Sequence, residues 1–315
     1  MVAVALVAAM SAGMADVAGG WAGVWAAAPV GPFSPPAKTV ATINVPALRE
    51  ISGCAVSTQA PGGARIVWVH NDSGDGPNLY ALDGRSGKLW AAYTVSGAAA
   101  LDWEDMALAN GQLYGGDIGD NDATRSSIVV YRMAEAKIAL RPAAAGSAKR
   151  PISRAVALEL TYPDGSHNAE AMAVHPRTGD LYIITKAPDG HAGVYALRAA
   201  ATAPAGRYRL EKVSELSITN ESMFYPNLIT GAAIAPTGDR IVLRTYQYLY
   251  VYRPSVAESG GQGGFDSAWS ARPSQLNVPF LVQAEAVCFT PDGRSVLTTH
   301  EGRPARLVEV DLRRN

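Results

Sequence analysis

The 315-residue chain is predicted to be all-β and to fold as a five-bladed β-propeller, on three observations. Thirty-one glycines and 20 prolines punctuate short runs of Val, Ile, Tyr and Thr, the composition of many strands joined by many turns. A strand–turn–strand pattern then recurs, because "EAMAVHPRTGDLYIITK" from Glu170, "TGAAIAPTGDRIVLRT" from Thr230 and "EAVCFTPDGRSVLTT" from Glu285 overlay almost without gaps. Two looser copies, "SGCAVSTQAPGGARIVWVHND" from Ser52 and "EDMALANGQLYGGDIGDN" from Glu104, complete a series with intervals of 52, 66, 60 and 55 residues. That period suits blades of four short strands, and no helical repeat would put β-branched hairpins in every unit.

In chain order, residues 1–28 contain no Lys or Arg and one acid, and read as a signal peptide or N-terminal anchor. Residues 29–39 form a Pro-rich linker, and 40–315 a single propeller domain, in a secreted or extracytoplasmic protein. "KTVATINV" (Lys38 to Val45) can supply the outermost strand that the last blade lacks and so close the ring. Other runs, among them "LWAAYTV", "SSIVVYRM", "VALELTY", "YRLEKVSEL" and "RLVEVDL", supply outer strands. A degenerate sixth blade between Met133 and Arg154 is the alternative topology. A net charge of −1 with no basic run gives no electrostatic case for nucleic acid or for a membrane surface beyond the N-terminal anchor. Cys54 and Cys288, the two cysteines, lie in apolar strand-like runs, as free buried thiols or as a disulfide.

The first strand of each blade lines a propeller's channel, so a residue repeated at its start forms a ring around one mouth. That ring reads Ser52, Glu104, Glu170, Thr230 and Glu285, all oxygen donors. Three carboxylates within ~6 Å repel by about 3 kcal/mol per pair at an effective dielectric of ~20, so a cation or protons must relieve them. Hard oxygen donors without His or thiolate favour Ca²⁺, with Mg²⁺ or Mn²⁺ also suited. Otherwise each Glu caps strand-end amides or pairs with Arg. Within "LDWEDMALAN", Asp105 follows Glu104 on a strand and should point away from the channel. Asp102 shares the channel face or merely finishes the incoming loop.

The loops after the second strands should surround the ring: "HNDSGDGPN", "GDIGDNDATR", "TKAPDGH", "RTYQY" and "THEGRPA". Asp72 and Asp120 are the candidate proton-transfer groups, and Asn71, Asn121, Lys186, Arg244, His300 and Arg303 candidate contacts to a small anionic substrate. Each Asp or Asn could equally be turn chemistry, and each basic residue simply solvated. "NDSGDG" has donors at EF-hand-like positions, but Leu82 stands where a bidentate Glu belongs, which rejects an EF-hand.

The ring order, together with "EDMALANGQLYGGDIG", resembles the calcium-activated nucleotidase (apyrase) family, five-bladed propellers with a tunnel calcium whose ring runs Ser, Glu, Glu, Ser, Glu. Thr230 replaces the second Ser. The likeness spans about Ser52 to Phe289 as a scattered pattern. It implies a calcium-dependent hydrolase of phosphate anhydrides or esters, while the residues that family uses on nucleotides find no match outside the ring. Phytase-like and gluconolactonase-like propellers are more distant in their ligand sets. A non-enzymatic propeller stapled by its cation and binding a ligand or protein is the alternative, and a metal-dependent lactonase, esterase or condensing enzyme a further one.

Overall fold

The computed structural model describes residues 34–144, 147–186, 188–218, 227–255 and 264–313, so the leader and the start of the linker lie outside the described residues. Strand β1 (Ala37–Ile43) is followed by blade one: β2 (Ile51–Val56), β3 (Ile66–Asn71), β4 (Asn78–Asp83) and β5 (Leu89–Val95). Blade two begins with β6 (Trp103–Ala109), β7 (Gln112–Asp117) and β8 (Ile128–Ala134). The chain then crosses back to lay β9 (Arg150–Ile152) parallel to β5, before returning as β10 (Val156–Thr161) beside β8. Blade three repeats this path: after β11 (Ala169–Val174), β12 (Leu181–Thr185) and β13 (His191–Leu197), β14 (Gly206–Arg209) runs parallel to β10 of blade two. Strand β15 (Glu211–Ser217) then completes the sheet beside β13. Blade four is β16 (Ile229–Ile234), β17 (Ile241–Thr245), β18 (Tyr248–Tyr252) and β19 (Ser274–Asn277); blade five is β20 (Ala284–Phe289), β21 (Ser295–His300) and β22 (Ala305–Asp311).

Five blades are therefore present, and β1 closes the ring antiparallel to β22, with Ala37 opposite Val310 and Ile43 opposite Ala305. The closing strand starts at Ala37, within the stretch read as linker. Among the described residues, no sixth blade fills the interval from Met133 to Arg154, which contributes the three-residue β9 to a neighbouring sheet. "YRLEKVSEL" likewise splits at Leu210 between two blades.

The inner strands β2, β6, β11, β16 and β20 pack in cyclic order around the axis. Among the described residues, the buried apolar side chains form five clusters, one in each seam between adjacent blades. In the seam of blades three and four, a short 3₁₀ helix (Gly264–Ser270) adds Phe265 and Trp269, while its Asp266 accepts hydrogen bonds from Tyr182 and Arg198. Adjacent sheets thus bury apolar faces on both sides, as a propeller requires.

Every inner strand carries a β-bulge near its start. The ladder steps from Ile51 to Gly53, Trp103 to Asp105, Ala169 to Ala171, Ile229 to Gly231 and Ala284 to Val287. The residues skipped include Ser52, Glu104, Glu170, Thr230 and Glu285, the five ring positions. A bulge re-aims the side chain it extrudes and breaks strict alternation, so the ring is a product of five aligned backbone irregularities. The residues that follow the five ring positions are Gly53, Asp105, Ala171, Gly231 and Ala286, small everywhere except in blade two. A Cβ on Gly231 would lie 2.6 Å from the Glu285 carbonyl oxygen, and one on Gly53 would lie 2.2 Å from His70 Nε2.

Because the Glu285 carbonyl belongs to a strand fixed by its own sheet, Gly231→Ala is expected to destabilise the protein by about 2 kcal/mol in urea titration. An unchanged midpoint would show that blades four and five do not meet this closely.

Candidate functional site

All five ring residues are buried, none more than 4 % exposed. Two of the hydroxyls tie blades together: Ser52 Oγ donates to the Glu104 carbonyl of the next blade, and Thr230 Oγ1 to the Ala284 carbonyl at 2.8 Å. Ser52 Oγ also lies 3.4 Å from Glu104 Oε2. The loop after β3 brings Asp72 to the ring, and the residues before β6 bring Asp102. One oxygen from each of Asp72, Asp102 and Glu104 falls within 4.8 Å of the others. Glu170 and Glu285 complete the acidic wall: burial and then neighbouring carboxylates raise the carboxyl pKa of Glu104 and Glu285, while burial raises that of Glu170 against the pull of Lys186.

Asp72 is pushed up to about 7, first by burial and then by Asp102. The Asp102 carboxyl is likewise raised by burial, while the neighbouring Asp72 carboxyl pulls it back. Asp72 Oδ1 and Glu285 Oε2 have no hydrogen-bond partner although both atoms are buried. Gly119, in "DIGDN", makes room for the group: a Cβ there would sit 2.3 Å from Asp102 Oδ2 and 2.5 Å from Glu104 Oε1. The loop that carries Gly119 is pinned by Arg125, which donates to Asp117 Oδ1 at 2.9 Å and to the Gly119 carbonyl at 2.7 Å. Asp117 in turn accepts from the backbone N–H groups of Leu101 and Asp102, which sets the approach of Asp102 to the mouth.

Asp105 departs from the sequence expectation. Its carboxylate turns into the channel beneath the ring and accepts the N–H groups of Met106 at 2.8 Å, Met172 at 2.8 Å and Ala232 at 3.0 Å. The cause is the bulge at Glu104, after which neighbouring residues no longer alternate. Burial holds this carboxyl well above its ordinary pKa, against the pull of three amides. His70, fully buried, lies across Gly53 with Nδ1 donating to the Asn71 carbonyl, and burial lowers its pKa to about 4. It is therefore neutral.

The other predicted residues separate into two groups. Arg244 is fully buried in β17 beside Glu285, and none of its three guanidinium nitrogens has a hydrogen-bond partner. Burial lowers its pKa to about 10, with Glu285 opposing. Lys186 reaches the ring but is ion-paired with Glu170 and stacked over Tyr246; burial disfavours the ammonium, and the Glu170 charge more than restores it. Beside Lys186 a groove of roughly 1190 Å³ opens, bordered by Asn121, His167, Asn168 and Tyr195.

Asp120, by contrast, closes a turn: its oxygens accept the N–H groups of Thr124 at 2.9 Å and Arg125 at 2.8 Å. Asn121 is exposed and accepts from Asn168. Asn71 stitches the loop before β2, accepting from Arg49 and Glu50 and donating to Ala47 and Asp75. His300 donates from Nδ1 to the Glu301 carbonyl and accepts the Arg306 N–H on Nε2, while Arg303 is exposed before a cis Pro304.

Residue order does not single out Asn168, Gly119 and Arg125. The first had a signal, since Asn168 precedes Glu170 by two residues as Asp102 precedes Glu104, and it donates to Glu170 Oε1 at 3.4 Å.

No family model matches the chain, and no curated protein matches it. Among solved structures, a putative oxidoreductase (glucose dehydrogenase) from Thermus thermophilus aligns at 13 % identity, covering 88 % of this chain and 100 % of that one, with a TM-score of 0.44. A nidogen/laminin complex aligns at 13 % identity over 80 % of this chain and 72 % of the matched one, with a TM-score of 0.42. The RRP9 WD40 repeats align at 11 % identity over 83 % and 67 %, with a TM-score of 0.37. Likenesses this distant say nothing about which residues act.

The raised carboxyl groups set a pH dependence. Each binds its proton more tightly in the folded chain, so this stabilisation is complete below the ordinary aspartate value of 3.8 and is lost as pH rises through the folded value, about 7 for Asp72. His70, with its pKa lowered to about 4, acts in the opposite direction below pH 6.5, so in chelator the melting temperature is expected to fall with rising pH chiefly between about pH 6.5 and pH 8. A flat or rising profile would mean that the carboxylates are already ionised and paired within the protein.

Proposed function

We propose that the mouth holds a divalent cation, Ca²⁺ with Mg²⁺ or Mn²⁺ as alternatives, and that the chain hydrolyses phosphate anhydrides or esters, nucleotides being the first class to test. The observation that carries this reading is the convergence of Asp72, Asp102 and Glu104 oxygens within 4.8 Å, walled by Glu170 and Glu285. The fit rests on the donors themselves: hard oxygens, two of them buried without a partner, in a space that a Cβ at Gly119 would fill. Ser52 and Thr230 keep lone pairs free for the same ion. The ring order shared with the calcium-activated nucleotidases points the same way.

When bound, the cation would offset the carboxylate charge and draw electron density from a phosphate oxygen. Asp72, at the edge of the same cluster, is the group placed to orient attacking water or take its proton. Asp120 is tied up in its turn and positions the loop instead. Arg244, a buried guanidinium with no partner of its own, would gain most from an anion, whereas Lys186 balances Glu170.

A second reading is favoured by the blade-to-blade bonds of Ser52 and Thr230: the cation staples the ring, and the mouth binds a ligand or protein without turnover. A lactonase or esterase would use the same cation on an uncharged carbonyl.

Phosphate release from a panel of nucleoside diphosphates is expected to stop in chelator and in Glu104→Gln. Absence of release with every nucleotide, together with a large drop in melting temperature on chelation, would favour the stapling reading, and unchanged metal content in Glu104→Gln would overturn the metal site. Gly119→Ala places a methyl against the carboxyl ends of Asp102 and Glu104, so it is expected to weaken Ca²⁺ binding by about 10-fold or more in a calcium titration.

A further inference from the structure

We propose that Cys54 and Cys288 are joined by a disulfide in the working protein, and that this bond staples the seam where the first and last blades meet. The two residues lie on β2 and β20, inner strands that pack side by side although they belong to opposite ends of the chain. Both are buried and reduced in this structure, with Sγ atoms 3.0 Å apart, about 1 Å more than a bonded pair. The sequence holds no other cysteine, so neither thiol has a competing partner.

Their surroundings are those of a closure. The same apolar cluster contains Ala41 and Ile43 of β1, Ala305 and Leu307 of β22, and both cysteines. Hydrogen bonds between β1 and β22 thus close the ring at its rim, and the sulfur pair would close the same seam at its axis. The loop joined runs through nearly the whole propeller, the kind of cross-link that restricts an unfolded chain most.

The chemistry needs a two-electron oxidant, for which a small disulfide such as oxidised glutathione serves. One cysteine thiolate displaces a thiolate from that disulfide; the second attacks the resulting mixed disulfide and releases the other thiol. In sum two S–H bonds are lost, one S–S bond forms, and the oxidant leaves as two thiols. A route exists at the mouth opposite the ring, where an apolar cavity of roughly 440 Å³ is bordered by Cys54, Met106, Val287, Cys288 and Phe289. Such a bond persists where thiols are not continually reduced.

The test uses the full chain, refolded from the reduced, denatured state through a glutathione couple or in excess dithiothreitol, both at fixed Ca²⁺. Each sample is alkylated in denaturant without reduction and weighed. Expected from the glutathione sample are a mass lower by two hydrogens, no alkylated cysteine, and a peptide linking Cys54 to Cys288. Reduction should lower its melting temperature by about 5 °C or more, a response absent from Cys54→Ala and Cys288→Ala. Quantitative alkylation of both cysteines in the folded, glutathione-treated chain would overturn the proposal, whatever the metal content.

Discussion

The five inner strands all break register near their starts, and the site depends on that one constraint. A regular antiparallel ladder would turn alternate side chains into the neighbouring seams. The bulge adds a residue that pairs with nothing and leans toward the axis, and five such residues meet because five strands meet. Apolar seams on either side hold the strands in place, so the extruded side chains have little freedom to retreat from one another.

Crowding then does the electrostatic work. Carboxylates forced together away from water cannot all remain charged without an opposing charge, and the protein meets part of the demand internally. Lys186 neutralises Glu170, burial and the Asp102 charge favour the protonated form of Asp72, and Arg244 stands beside Glu285. Beneath them Asp105 sits among three amides from three blades, fixing the inner strands of blades two, three and four to one another with a single side chain. The mouth above is acidic and the cavity below is apolar, so the two ends of the channel differ in chemistry as well as in loop length.

The blades were legible because their hairpins repeat, with "PTGD" and "PDG" turns marking the same step, and the ring followed from that alignment. The crossing strands were not, since "RPI" and "GRYR" are too short and too polar to show alternation, and their pairing is decided by sheets distant in sequence. Asp105 misled because a bulge leaves no mark on residue order. Asp120 and Asn71 could be read either as reactive groups or as turn residues, and residue order alone does not reveal the turn and loop hydrogen bonds that both accept. Arg244 was visible as a basic residue near the mouth; that it is buried beside Glu285 with no hydrogen-bond partner for its guanidinium is a matter of packing alone.

Strands β9 and β14 also bear on how such a chain can change over time. Each is made by one blade's connecting segment and worn by the blade before it, so blades one, two and three are laced together along their outer edges. A duplication or loss cut at any of those blade boundaries would carry off a strand from its neighbour. Blade four is built from consecutive strands and blade five from three more closed by β1, and among the described residues no strand laces these two together. The propeller is modular on one side and indivisible on the other, and gene rearrangement would find its permitted joints only between the later blades.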